Sequence, residues 1–384
     1  MPPFFLRAAY RHIRHRPFGW MINILMVTIG VGLLSFITLA TRTLDLQMNE
    51  NLRNVDMIVA AKGSPLQVLL SSIYLLDAPT GNIPIGRLDS LRIDPQVSSA
   101  TPLSLGDSYR QFRIIGTDRT YFDRYSLSLK EGKMFLSSGE VVIGSQVAIE
   151  TGLRVGDHFR SNHGLNDQLD NEHEHDLTVV GILKRSQTVP DQAILTPLST
   201  YWDLHHSDSS QITSILIKFK TPAAMFHLPR KINQGTSEMA VLPAIEANKI
   251  RQFAGISTKW LALISLVILS FSGMNIFLVM IREIEGRLPV LAMMVAMGLG
   301  PLGRFLLILS EGLIIILFGW VLGILIAHGI FAFPDLFGID EITPHWWGVQ
   351  SQEAWLLLIL IGLSLIIAFI AFRKFLRKEV VHFL

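Results

Sequence analysis

The sequence predicts an α-helical membrane protein, a four-span bundle carrying one inserted α+β extracytoplasmic domain. Three observations predict it. Half of the 384 residues are hydrophobic, and these gather into four long runs. Each run has the roughly 17–25 residues that a helix needs to cross a hydrocarbon core of ~30 Å. The stretch between the first two runs has the mixed composition of a soluble domain, and basic residues mark alternate ends of the runs as one side of a membrane.

The elements follow in chain order. Residues 1–17 contain FFLRAAYRHIRHRP, in which Phe4, Phe5, Ala8 and Ile13 can share one side of a helix and the arginines the other. This reads either as an interfacial helix or as a charged topology signal. The first span is 18–40. It is about twice as long as the apolar region of a signal peptide, and no small-residue cleavage site follows it. The inserted domain covers 41–256, the second span 257–281, a loop 282–304, the third span 305–333, a short acidic loop 334–352, the fourth span 353–373 and a tail 374–384.

Orientation comes from Lys and Arg. Arg7, Arg11, Arg14 and Arg16 precede the first span; Arg282, Arg287 and Arg304 lie between the second and third; Arg373, Lys374, Arg377 and Lys378 follow the fourth. The loop between the third and fourth spans has no Lys or Arg and carries Asp335, Asp340 and Glu341. The positive-inside rule therefore puts both termini and 282–304 in the cytoplasm, with the inserted domain outside. Trp20, Trp260, Trp346, Trp347 and Trp355 lie near span ends, as an aromatic belt requires.

Within the inserted domain, VDMIVAA, QFRIIG, EVVIG, LTVVGIL and SILIKF read as strands, being rich in β-branched residues. Ser64 followed by Pro65 marks a helix start, and DAPTGNIP from Asp77 is turn chemistry.

Composition excludes several functions. The chain has no cysteine, so disulfides, thiolate-held zinc and thiol catalysis are out. A net charge of +2 offers no basic face for nucleic acid. There is no G-x-x-x-x-G-K-[ST] loop for a nucleotide and no H-E-x-x-H zinc motif. No nucleophile–base pair stands out, so the chain reads as a non-catalytic membrane subunit.

Several stretches resemble the MacB/FtsX/LolC group of ABC transporter permeases. EVVIGSQVAIETGLRVGDHF (from Glu140) and LTVVGILKRSQTVPDQAILTPLSTYW (from Leu177) are similar to two motifs of that group's outside domain. LAMMVAMGLGPLGRFLLILSEGLIIILFGWVLG (from Leu291) is similar to its third-span segment, with Val290 and Val295 where the group often has an acidic residue and an arginine. AAKGSPLQ and APTGNIP resemble one branch of the group. The resemblance covers nearly the whole chain. It implies a bacterial inner-membrane permease that works as a dimer, either with a second copy or with a paralogue. It also implies a separate ABC ATPase binding ATP and Mg, an extracytoplasmic partner protein, and mechanical coupling of hydrolysis to the outside domain for cargo export or release. An FtsX-like signalling subunit and a membrane-anchored metal sensor are the alternatives.

Candidate residues follow. The apolar stretch of the 282–304 loop, with Pro289, Met293, Met294, Met297 and the terminating Gly298, is the expected ATPase-coupling element, since Met adapts to a partner groove. The other reading is packing on its own bundle. Glu311 is an intramembrane carboxylate, which demands a partner such as Arg304 or a role in a proton relay. Gly319 and Gly323 form a small-x-x-x-small pair for close helix packing, within the chain or between copies. The insert NHGLNDQLDNEHEHD offers His163, Asp167, Asp170, His173 and His175 as ligands suited to divalent metal, with His205 and His206 near in sequence. Similar His-rich loops in permeases linked to zinc homeostasis put zinc first among metals. The other reading is a solvated acidic loop.

Overall fold

A computed structural model describes residues 17–163, 176–204, 211–286, 298, 300–333 and 348–382. The chain divides into two compact units, one of Leu44–Phe253 and one of Met1–Thr43 with Ala254–Leu384.

Four long helices supply the membrane unit: α1 (Pro17–Asn51), α8 (Pro243–Gly286), α9 (Pro301–Ala332) and α10 (Ser351–His382). Each contains a window apolar and long enough to cross a membrane. Three of them run well past the apolar stretch that marks them in sequence: α1 beyond residue 40 to Asn51, α8 from Pro243 rather than 257, and α10 beyond residue 373 to His382. Helix propensity continues where hydropathy stops, so a hydropathy boundary and a helix boundary differ. Pro301 at the first position of α9 follows Gly300 in extended backbone, and Gly298 adopts a left-handed φ of +94°. Proline is preorganised for a helix start and lacks only an N–H that would be unpaired there.

The inserted unit is α+β. Its strands are β1 (Met57–Ala61), β2 (Ile83–Pro84), β3 (Val97–Tyr109), β4 (Phe112–Thr117), β5 (Leu129–Gly132), β6 (Glu140–Ile143), β7 (His158–Phe159), β8 (Asn162–His163), β9 (Leu177–Leu183), β10 (Ala193–Pro197), β11 (Gln211–Ile212), β12 (Ser214–Phe219) and β13 (Glu238–Val241). Its short helices are α2 (Pro65–Ser72), α3 (Gly86–Arg92), α4 (Arg119–Tyr125), α5 (Ser145–Thr151), α6 (Leu198–Leu204) and α7 (Ala224–Gly235). Pro65 starts α2 as the sequence implies, although Ser64 makes no side-chain capping bond.

Eleven strands form one mixed sheet in the order β13-β1-β12-β3-β4-β10-β6-β9-β5, with β7 on β9 and β8 on β3; β2 and β11 pair separately. The β4–β10 and β6–β9 pairs are parallel. The thirteen-residue β3 is the hinge of the ladder: Val97–Leu103 pairs with β12, and Ser104–Tyr109 with β4.

Both faces of the sheet are buried, which is why its strands read as apolar runs rather than strict alternation. On one face Ile58, Leu103, Ile115, Val142, Leu195 and Leu216 pack with Leu69 of α2 and Phe122 of α4. On the other, Met57, Val59, Ile215 and Ile217 pack with α3 and α7, while Ile114, Val141, Ile143, Val179 and Ile194 pack with Val147 of α5. In β9 the alternation slips at Gly181, where the β6 register shifts, so Ile182 returns to the face of Val179. A Cβ on Gly181 would lie 2.5 Å from the Lys133 carbonyl oxygen, so only glycine fits that crossing.

Candidate functional site

In the membrane unit, the two glycines singled out by sequence face α1. A Cβ on Gly319 would lie 2.6 Å from Val27 Cβ, and one on Gly323 would lie 2.9 Å from both Thr28 O and Gly32 N. Gly32 reciprocates, its Cβ position being 3.3 Å from Gly323 O. The glycine pair thus serves backbone-to-backbone approach of α1 and α9 within the chain. Glu311 is buried in α9 and engaged.

Sequence reasoning missed a second carboxylate. Glu353 of α10 is 3% exposed and joins three helices. Its Oε1 accepts from Ser35 Oγ of α1 and lies 2.9 Å from His328 Nε2 of α9, while its Oε2 accepts from Gln350 N–H at 2.7 Å. Trp320 Nε1 donates to the Glu353 carbonyl at 3.1 Å. The local signal was present: a glutamate three residues after a helix N-cap commonly turns back to the cap N–H. Its partners Ser35 and His328 are on other helices and left no sequence trace.

In the inserted unit, Asp191 organises the loop between β9 and β10. Wholly buried, it accepts from Ser186 N–H (2.9 Å to each oxygen), Ser186 Oγ (3.0 Å) and Gln187 N–H (2.6 Å). Gln187 is held at a left-handed φ of +60°. Gly144, which caps α5, passes so close that its Cβ would lie 2.1 Å from Asp191 O. These residues fall in the two motifs quoted above, and the structure joins them.

Arg124 is the other buried hub. It donates to Thr101 Oγ1 (3.0 Å), Leu216 O (3.0 Å), Ser99 Oγ (3.2 Å) and Asn54 O. Burial draws its guanidinium below the usual value, against the opposing pull of Tyr125 and Asp56. Arg87 makes a forked contact to buried Glu238 at 3.0 and 3.2 Å. Burial pushes that carboxyl up, but hydrogen bonds from Thr236, from its own backbone and from Arg87 outweigh it, leaving the group below its usual value. Near β6, the N–H groups of Leu136 and Ser137, with Lys133, lower Glu140.

The His-rich insert leaves the sheet from β8, which pairs His163 with Asp107 of β3, and returns through Asp176, which bonds Arg160 at 2.9 Å. At this neck His158 Nδ1 lies 2.9 Å from Thr178 Oγ1. Asp167, Asp170, His173 and His175 lie outside the described residues, as do His205 and His206. His163 is described only as part of β8. Among the described residues, no three His, Asp or Glu side chains converge as a metal site. Pro289, Met293, Met294, Met297 and residues 1–16 are also outside the described residues; of the expected coupling element, Gly298 is described.

Residues 20–234, more than half of the chain, match the family described as the MacB-like periplasmic core domain. The chain belongs to this family, as a permease-type subunit of an ABC transporter. Two solved structures are similar to parts of it. The periplasmic region of MacB from Actinobacillus actinomycetemcomitans is 16% identical with a TM-score of 0.37, covering 53% of this chain and 97% of that one. The extracellular domain of the noncanonic ABC-type transporter YknZ from Gram-positive bacteria is 12% identical with a TM-score of 0.33, covering 48% and 98%. No curated protein matches the chain. The match spans most of the large domain after the first span, Gly144 and Asp191 included.

Proposed function

We propose that the chain couples ATP hydrolysis by a separate ATPase to movement of its inserted domain, for export or release of a cargo. The observation that carries this reading is a MacB-like core domain inserted after the first of four spans, in a chain with no phosphate-binding loop of its own. The ATPase docks on 282–304 through Pro289, Met293, Met294, Met297 and Gly298, on the side carrying the basic residues. Both termini share that side, the cytoplasm, and the membrane is the bacterial inner membrane. Two permeases, identical or paralogous, make one transporter, with an extracytoplasmic partner receiving the movement. Zinc links to this cycle through the insert that runs from His163 past Asp167, Asp170, His173 and His175, where neutral imidazole and carboxylate suit the ion.

Purification of the tagged chain from its native membrane in mild detergent tests the proposal. A stoichiometric ATPase subunit is the expected companion, and hydrolysis is expected only when it is present. Hydrolysis by the chain alone, or no ATPase companion under several mild conditions, would refute the reading.

A further inference from the structure

Among the described residues of the membrane unit, α1, α8 and α10 each bury a polar group without a partner. Asn23 of α1 is wholly buried and accepts at Oδ1 from Asn275 Nδ2 of α8, 2.7 Å away. Its own Nδ2 has no acceptor among the described residues. Ser272 Oγ on α8 and Ser364 Oγ on α10 are in the same condition, each in a residue 1% exposed. Other hydroxyls on these helices behave differently. Ser265 and Ser270 donate to Leu261 O and Leu266 O at 2.9 and 2.8 Å, and Thr38 donates to Leu34 O at 2.9 Å. That local bond is open to a serine or threonine in any helix, yet Ser272 and Ser364 do not make it.

The packing puts these groups at one depth. Asn23 meets Asn275, and a Cβ on Gly30 would meet Leu269, so α1 and α8 run antiparallel with Ser272 between those two contacts. A Cβ on Gly273 would lie 3.1 Å from Leu363 Cδ2, which brings Ser364 to the level of Ser272. Three unpartnered groups, one from each of three helices, therefore fall at one level, within about two turns of α1. A buried polar group without a partner is costly, and most costly in hydrocarbon. A buried water makes two to four bonds and sits where several polar groups converge.

We infer that the seam between α1, α8 and α10 is an internal hydration site, in which water is held by Asn23, Ser272 and Ser364. Water bridges exchange more readily than direct side-chain bonds break, so α8 is joined to its neighbours by a contact that can slide. It is also the least covered span: 11% of its apolar window is buried, against 28–33% in the other three.

The absence of cysteine makes the test direct. Ser272→Cys and Ser364→Cys are nearly isosteric, and Leu269→Cys is the control on the same helix. The full chain in lipid nanodiscs is treated with methyl methanethiosulfonate, which is small, uncharged and membrane-permeant. The reacting species is the thiolate, and an apolar site suppresses it. Both serine positions are expected to label at least about tenfold faster than Leu269→Cys; rates within twofold of the control overturn the inference. The second arm is the melting temperature of the Ser272→Ala, Ser364→Ala double variant. With water present it stays level or falls. A rise of several degrees means the hydroxyls were orphaned in a dry seam and also overturns the inference. Neither arm needs an ATPase or any other partner, so the outcome stands apart from the transport reading.

Discussion

Replacing Asp191 probes the joint between the stretches that begin at Glu140 and Leu177. Its carboxylate accepts three donors, Ser186 N–H, Ser186 O–H and Gln187 N–H, at 2.6 to 3.0 Å, and it is wholly buried. It also holds Gln187 in left-handed backbone, a conformation that costs a non-glycine residue on the order of 1 kcal/mol. Hydrogen bonds to a charged group contribute roughly 1.5–3 kcal/mol each, less what water recovers when the loop opens. Asp191→Ala is therefore expected to cost about 3–5 kcal/mol. Asp191→Asn keeps the shape but turns one acceptor into a donor that faces N–H groups, and is expected to cost about half as much. For a domain of this size each kcal/mol moves the melting temperature by roughly 2–4 °C, so Asp191→Ala shifts it by about 10 °C. The assay is thermal unfolding of the full chain in detergent, followed by the fluorescence of Trp202, whose Nε1 donates to Gln211 O at 2.8 Å inside the same unit. The other tryptophans are replaced by phenylalanine in the reference and in every variant. Ser186→Ala, which removes one of the three bonds, is the graded control at about 1 kcal/mol. A shift under ~2 °C for Asp191→Ala would show that the loop is held by packing and would refute the reasoning.

Two further outcomes follow from the geometry. Gly323→Leu drives a side chain into the α1 backbone at Thr28 and Gly32 and is expected to cost at least about 1–3 kcal/mol. Gly362→Ala, where a Cβ meets nothing within 4 Å, should be neutral or stabilising in the same melting assay; equal melting of the two variants would contradict the assigned α1–α9 contact. Burial raises Tyr74 and Tyr201 to about 12 and raises Tyr121 and Tyr125 further. The neutral forms are favoured by folding, so their stabilisation is complete below the unfolded value of 10.0 and is lost as pH climbs toward the folded values. Tyrosinate absorbance at ~pH 11 should therefore show these four tyrosines still protonated in the folded chain and ionised in denaturant; ionisation of all four without denaturant would contradict the burial.

The sequence by itself determined the four spans, because a helix in hydrocarbon must be long and apolar whatever surrounds it. It also determined strands such as EVVI and SILIKF, since β-branched residues favour a pleated, buried surface, and it marked Gly319 and Gly323 as small surfaces. Only the tertiary structure decided what those features meet. Gly319 and Gly323 were open between a partner copy and the chain's own α1 until the helices were placed. The strand order needs β1 between β12 and β13, a pairing across most of the domain that no local window encodes. Gly144 and Asp191 are far apart in sequence and lie in separate motifs, yet one passes against the backbone of the other. Glu353 drew no notice in the sequence; its bonds to Ser35 and His328 join three helices. Local periodicity reports which way a residue faces and how well it suits an element. The identity of the facing group depends on long-range packing, which a single sequence does not carry.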